Sequence, residues 1–294
     1  MQLLESVVRS SDEFNPATAG PVRVIAVSGG KGGVGKTTVA INLATALTQA
    51  GQRVMLLDGD LGLANVDVLL GLAPRYTLAH VLSGERTLEE IIVETAGGLR
   101  VAPAASGVAR MANLGPAEHL GLVRAFSGLA SQLDTLIVDT SAGIADGVLR
   151  FSQAAQHVLL VLRDEPASIT DAYALIKVLS REHGVQRFRV LVNMTRETNQ
   201  GPAVFQRLQR VTQRYLEVAL EYVGEIPDDT WLGRAIREQR PVIEAYPSSR
   251  SSLAFKKLAR LTDTWPIPAG PRGHLEFFVE RLVRRAGGGL EVVQ

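Results

Sequence analysis

The sequence predicts an α/β fold: a single domain built on a doubly wound, mostly parallel sheet flanked by helices. Three observations carry this. Short β-branched runs alternate with helical stretches from Val22 to about residue 227. Most of those runs are apolar throughout, as strands covered on both faces are. A glycine-rich turn joins the first run to the first helix. At 294 residues, 46 % hydrophobic and 21 % charged, the chain is long enough to bury a large core.

Residues 1–20, ending in NPATAGP, read as a flexible extension ahead of a domain over 21–265. The strands are VRVIAVS (22–28), RVMLLD (53–58), LRVAPA (99–104), TLIVDT (135–140), HVLLVLRD (157–164), FRVLVNM (188–194) and EYVGEI (221–226). Helices are expected over Thr37–Gln49, closed by Gly51, and over Ser168–His183, closed by Gly184, with Ser168 or Thr170 as the cap of the second. A further helix covers SSLAFKKLARLTDTW (251–265), followed by a proline-rich hinge over 266–273. In HLEFFVERLVRR (274–285), Leu275, Phe278, Val279 and Leu282 share one helical face, which Phe277 widens. That face serves either as a reversible membrane anchor with arginines at the headgroups or as a helix docked on its own domain. Residues 286–294 form a frayed tail.

Composition excludes several chemistries. The absence of cysteine removes disulfides, thiolate nucleophiles, zinc–thiolate sites and iron–sulfur clusters. A net charge of +1 predicts no strong field for nucleic acid, and no sequence-specific nucleic-acid binding is expected. The cluster Lys256, Lys257 and Arg260 reads as a solvated helix face in preference to a DNA site. His119, His157, His183 and His274 lack metal-ligand spacing. No apolar run approaches the roughly 18 residues of a membrane span, and MQLLESVVRSSDEF has no apolar signal core. Cytoplasmic residence is therefore expected, with peripheral contact at the inner face of the cell membrane if the last helix is an anchor.

The chemistry concentrates in Gly30-Lys31-Gly32-Gly33-Val34-Gly35-Lys36-Thr37, which fits G-x-x-x-x-G-K-[ST] between a strand and a helix. Its backbone N–H groups curl around phosphate oxygens at the positive end of the helix dipole. Lys36 reaches the β- and γ-phosphates, the Thr37 hydroxyl binds Mg²⁺, and Thr38 joins the nucleotide-binding residues of the loop. Asp139 ends an apolar strand in the position that binds the metal through water. Asp58 and Asp60 end another; a carboxylate there orients the attacking water, sits near the metal, or caps a turn. The base is read as adenine, because the strand ending LVNMTRE lacks the Asn-Lys-x-Asp that selects guanine. Asn193 either bonds the purine edge or caps a turn, and Pro227 and Asp228 of GEIPDD shape the other side. Glu165, at a strand's carboxyl end, faces the nucleotide side. The expected cofactors are ATP and Mg²⁺.

Lys31 is surplus to that site. The run Lys-Gly-Gly-Val-Gly-Lys-Thr-Thr resembles the deviant phosphate loop of the MinD/ParA ATPases, and VMLLDGDLGLANVDVLLGL, VAPAASG, LIVDTSAGI, DEPASITDAYALIK and PRGHLEFFVERLV are similar to the FleN/FlhG branch, regulators of flagellar number. The resemblance implies a homodimer with two ATP molecules between its subunits, Lys31 reaching the partner's nucleotide, Asp60 aligning water and Asp139 serving the metal. Two polyphosphates facing each other need cations between them. It further implies slow, switch-type ATP hydrolysis, an antiactivator role toward a FleQ-like flagellar master activator, and work alongside the FlhF GTPase. The opening MQLLESV departs from the Asp-Gln-Ala-x-x-Leu-Arg motif with which some relatives stimulate FlhF, so the resemblance does not extend to that motif and leaves direct stimulation of FlhF open. Rival readings are a MinD-type division regulator, a ParA-type partitioning ATPase, and a metabolic enzyme transferring phosphoryl groups.

Overall fold

The structure, a computed structural model, describes residues 22–105, 114–197, 199–268 and 276–278. In chain order its strands are β1 (Arg23–Gly29), β2 (Val54–Gly59), β3 (Val93–Glu94), β4 (Arg100–Ala102), β5 (Thr135–Ala142), β6 (His157–Leu162), β7 (Arg187–Thr195) and β8 (Ala219–Pro227). Its helices are α1 (Lys36–Gln49), α2 (Val66–Leu69), α3 (Leu78–Leu82), α4 (Leu88–Ile91), α5 (Pro116–Ala125), α6 (Asp146–Ala154), α7 (Pro166–His183), α8 (Gln200–Tyr215), α9 (Thr230–Arg237), α10 (Val242–Ala245) and α11 (Arg250–Thr262).

The strands form one sheet in the order β3-β4-β2-β5-β1-β6-β7-β8, parallel except for the β3–β4 pair. That short antiparallel edge was not expected from the sequence; two residues are too few for a periodic signal. β1 shows why its run is apolar throughout. Ile25 and Val27 face a core under α1 and α11, whereas Val24 and Ala26 face a second core under α5 and α6, and all four are buried. A third core packs α7 and α8 on Leu160, Leu162, Val190 and Val192. With β1 in the middle of the sheet, its carboxyl end and those of β2 and β5 converge on one spot.

Two local expectations are corrected. The helix expected from Ser168 begins at Pro166, and neither Ser168 nor Thr170 caps it. Instead the Ser168 hydroxyl accepts the Arg163 N–H at 3.0 Å, and the Thr170 hydroxyl donates to the Pro166 carbonyl. In the C-terminal segment, Phe277 and Phe278 form a turn with Phe278 at φ 56°, so a helix does not run unbroken across 274–285. Both rings are buried: Phe277 meets Phe126 edge-on and stacks on Phe151, and its N–H donates to the Ala154 carbonyl. The described part of this segment is therefore docked on the domain. Leu275, Val279 and Leu282, like the extension 1–20, most of the hinge and the tail 286–294, lie outside the described residues.

Candidate nucleotide site

The loop Gly30–Gly35 joins β1 to α1 and is held from three sides. Below it, Val34 is fully buried in the core. On one flank Gly30 lies against α7 so closely that a Cβ would stand 2.1 Å from the Asp171 carbonyl oxygen, which excludes any other residue. On the other, the Asn193 amide Nδ2 donates to the Val34 carbonyl at 2.8 Å, while its Oδ1 accepts the Met194 N–H. Gly35 sits at φ 90°, and a Cβ there would meet that same amide at 2.3 Å. Gly32 and Gly33 form the open crest. α1 has no acidic residue in its first turn and no side-chain cap, so its positive end is left for an anion.

The floor of the site is acidic and buried. Lys36, only 8 % exposed, donates weakly to the Lys31 carbonyl at 3.5 Å. Burial lowers its pKa, opposed by the charges of Asp139 and Asp60. β2 and β5 set Asp58 directly beside Asp139. Burial first, and then the Asp58 charge, push the Asp139 carboxyl well above the usual range; a hydrogen bond from Thr37 and the charge of Lys36 pull the other way. Asp139 Oδ1 is buried without a partner among the described residues.

Asp58 and Asp60, alternatives in the sequence, separate cleanly. Asp58 is buried and accepts the N–H groups of Asn65 and Val66 at 3.0 and 3.1 Å and of Asp60 at 3.2 Å, so it holds the start of α2 and the chain between. Desolvation nevertheless pushes its carboxyl up to about 7. Asp60 is half-buried beside Lys36, raised by burial and lowered by the Leu63 N–H and by Lys36.

These residues fit Mg²⁺ and a polyphosphate. An orphaned carboxylate oxygen of Asp139, a neighbouring hydroxyl on Thr37 and the Asp60 carboxylate supply oxygen donors of the kind that ion takes. A divalent cation would offset the burial, and after it the neighbouring negative charge, that raise Asp139 and Asp58.

Lys31 stands apart from Lys36. On the crest, its ammonium pairs with Glu165 Oε2 at 3.2 Å, and Arg163 holds the other oxygen of that carboxylate at 3.3 Å. Nothing in the local sequence announces this contact, since Glu165 follows 134 residues later. At the ends of β7 and β8, Asn193 pairs with Ile226 and Thr195 with Pro227, which brings Asn193, Pro227 and Asp228 side by side. Asn193 is 2 % exposed, and its amide braces the loop, a contact that neither the purine-edge nor the turn-cap reading anticipated. Asp228 is exposed and ion-paired to Arg196 at 3.6 Å.

Comparison with known proteins agrees with this geometry. Residues 21–262 match the family described as ParA, NUBPL iron-transfer P-loop NTPase. The chain is 58 % identical to the antiactivator FleN of Pseudomonas aeruginosa, over 92 % of this chain and 97 % of that protein. It is 34 % identical to the flagellum site-determining protein YlxH of Helicobacter pylori, over 91 % and 92 % respectively. Among solved structures, the septum site-determining protein MinD of Pyrococcus horikoshii, complexed with Mg-ADP, superposes with a TM-score of 0.69 at 27 % identity, covering 83 % of this chain and 96 % of that one. The chain belongs to the MinD/ParA family of P-loop ATPases, within the branch of the FleN/FlhG flagellar regulators.

Proposed function

We propose that the protein is a Mg²⁺- and ATP-dependent dimerising switch that regulates flagellar number as an antiactivator of a FleQ-like master activator, alongside the FlhF GTPase. The observation that carries the switch reading is the division of labour between two lysines in one loop. Lys36 is sunk among Asp139 and Asp60, whereas Lys31 points away onto Glu165 at the surface. A lysine held outside its own site is placed to serve a second one. The flagellar part rests on the identity with FleN.

The loop N–H groups of 30–37 and the Lys36 ammonium bind the β- and γ-phosphates of ATP. Thr37 and Asp139 would hold Mg²⁺, with Asp60 near it, and the ion would supply positive charge against the phosphates. Asp60 aligns the attacking water. The remaining N–H of the Asn193 amide and the Pro227–Asp228 turn flank the adenine. Lys31 leaves Glu165, crosses to the partner's phosphates and neutralises the charge between two facing nucleotides. Water adds to the γ-phosphorus as the bond to ADP breaks, and departure of the freed phosphate takes away the anion that Lys31 grips; the subunits then part, so turnover is slow and the output is a conformation. Phe277 and Phe278 in the core keep the C-terminal segment on the domain; contact with the inner face of the membrane requires their release.

Size-exclusion chromatography with ATP, ADP or no nucleotide tests this. ATP dimerises the wild type, Lys31→Ala stays monomeric while still binding ATP, and Asp60→Ala forms an ATP dimer that persists. Normal dimerisation of Lys31→Ala refutes the trans role. Adding the purified activator separates the flagellar reading from a division one.

A further inference from the structure

β8 is the edge of the sheet: β7 pairs with one side of it, and the sheet order ends there. Along that edge runs a groove of about 460 Å³ between the start of α8 and α11. Its floor is apolar, with Leu191, Val223 and Leu258. One wall belongs to α11, whose thirteen residues RSSLAFKKLARLT include no acid. Arg250, Leu253, Lys257 and Arg260 recur at spacings of three and four and so share one face. Leu253 is 57 % exposed.

The cations of that wall form no close ion pair, although the Arg250 charge helps to hold the Asp229 carboxyl low. Neither Arg250 nor Lys257 makes an ion pair with a described residue. The acids nearby are engaged elsewhere. Asp229 accepts the Ser251 N–H and hydroxyl and the Trp231 N–H, Glu225 accepts the Gly201 N–H at 2.7 Å, and Glu221 pairs with Arg189. Lys256 points away and donates to the Pro247 carbonyl.

We propose that the β8–α11 groove docks an extended, acidic peptide segment of a partner protein. Three features select this occupant. Unpaired backbone groups on an edge strand are satisfied by another backbone. The apolar floor and Leu253 take alternate side chains of such a strand, and Arg250 and Lys257 take its carboxylates. Duplex DNA supplies phosphates but nothing for the floor or the edge. A bilayer surface offers no backbone groups to pair with the edge strand. The bulge at Val223, where Val190 pairs with Tyr222 and Leu191 with Gly224, keeps the added pairing short and so keeps the edge from templating longer sheets. The proposal is independent of the flagellar reading, since its test uses no flagellar component.

The probe is a short fluorescein-labelled peptide alternating glutamate with valine, followed by fluorescence anisotropy on the full chain. Binding is expected for this peptide and not for its lysine counterpart, and it should weaken with salt. Leu253→Asp combined with Lys257→Glu should weaken it about tenfold or more, while ATP-driven dimerisation shows that the variant is folded. Amide exchange should slow on β8 in the complex. Absence of peptide binding, or equal binding by the variant, overturns the proposal. So does binding of random duplex DNA or anionic vesicles that the same variant abolishes, because the groove would then serve a phosphate surface.

Discussion

The crest and the floor of the phosphate loop are five residues apart and differ in almost every physical respect. Lys36 lies on the floor at 8 % exposure, its charge desolvated and balanced by Asp139 and Asp60. Lys31 lies on the crest with its side chain 40 % exposed, balanced by one surface carboxylate. A buried charge is costly to strand, whereas an exposed pair is worth about 0–1 kcal/mol. The floor is therefore committed and the crest is exchangeable. One loop can then bind a nucleotide firmly and still change partners.

The largest test of that contrast replaces each lysine by alanine and measures ATP affinity of the monomer by calorimetry. Lys36→Ala removes the cation from a buried cluster of carboxylates and phosphates, a loss of about 3–5 kcal/mol, or a hundredfold or more in affinity. Lys31→Ala should leave monomer affinity within about twofold, because its charge is solvent-screened. Equal losses would erase the distinction between crest and floor.

A smaller effect probes how the floor is braced. Asn193→Ala leaves the buried Val34 carbonyl without its donor, at about 1–3 kcal/mol. The expected result is a lower melting temperature in the absence of nucleotide. A residue that only reads the base would change ATP affinity and leave the nucleotide-free protein unaltered, so the two measurements together separate the roles.

What the sequence revealed, and what it hid, follows the same division. The loop, Lys36, Thr37, Asp139 and seven of the strands were legible because each is a local pattern: a spacing, an apolar run, an acid at its end. Asp58 was ambiguous because capping α2 and serving a metal call for the same carboxylate, and only the N–H groups of Asn65 and Val66 decide between them. The bracing contacts were illegible. Asn193 reaches Val34 across 159 residues, and Glu165 reaches Lys31 across 134, distances in sequence that only the order of the strands closes. Phe277 and Phe278 showed an amphipathic face, but the pattern is the same whether that face meets a membrane or Phe126 and Phe151.

The smallest predicted effect is the most specific to the crest. Glu165 holds Lys31 within its own chain, so under the proposed trans role it would compete with the partner's phosphates for the same ammonium. Removing its charge in Glu165→Gln should make Lys31 easier to release and lower the ATP concentration needed for half-maximal dimerisation. An exposed pair limits the gain to about 1 kcal/mol, or roughly fivefold. Arg163, which holds the other carboxylate oxygen, keeps Glu165 in place and shares its charge, which reduces the gain further. High salt should shrink the difference between variant and wild type, because it already screens the pair. Sedimentation across an ATP titration reads both effects. A weaker dimer in Glu165→Gln would place that carboxylate across the interface in the assembled state, where it would orient Lys31 instead of restraining it.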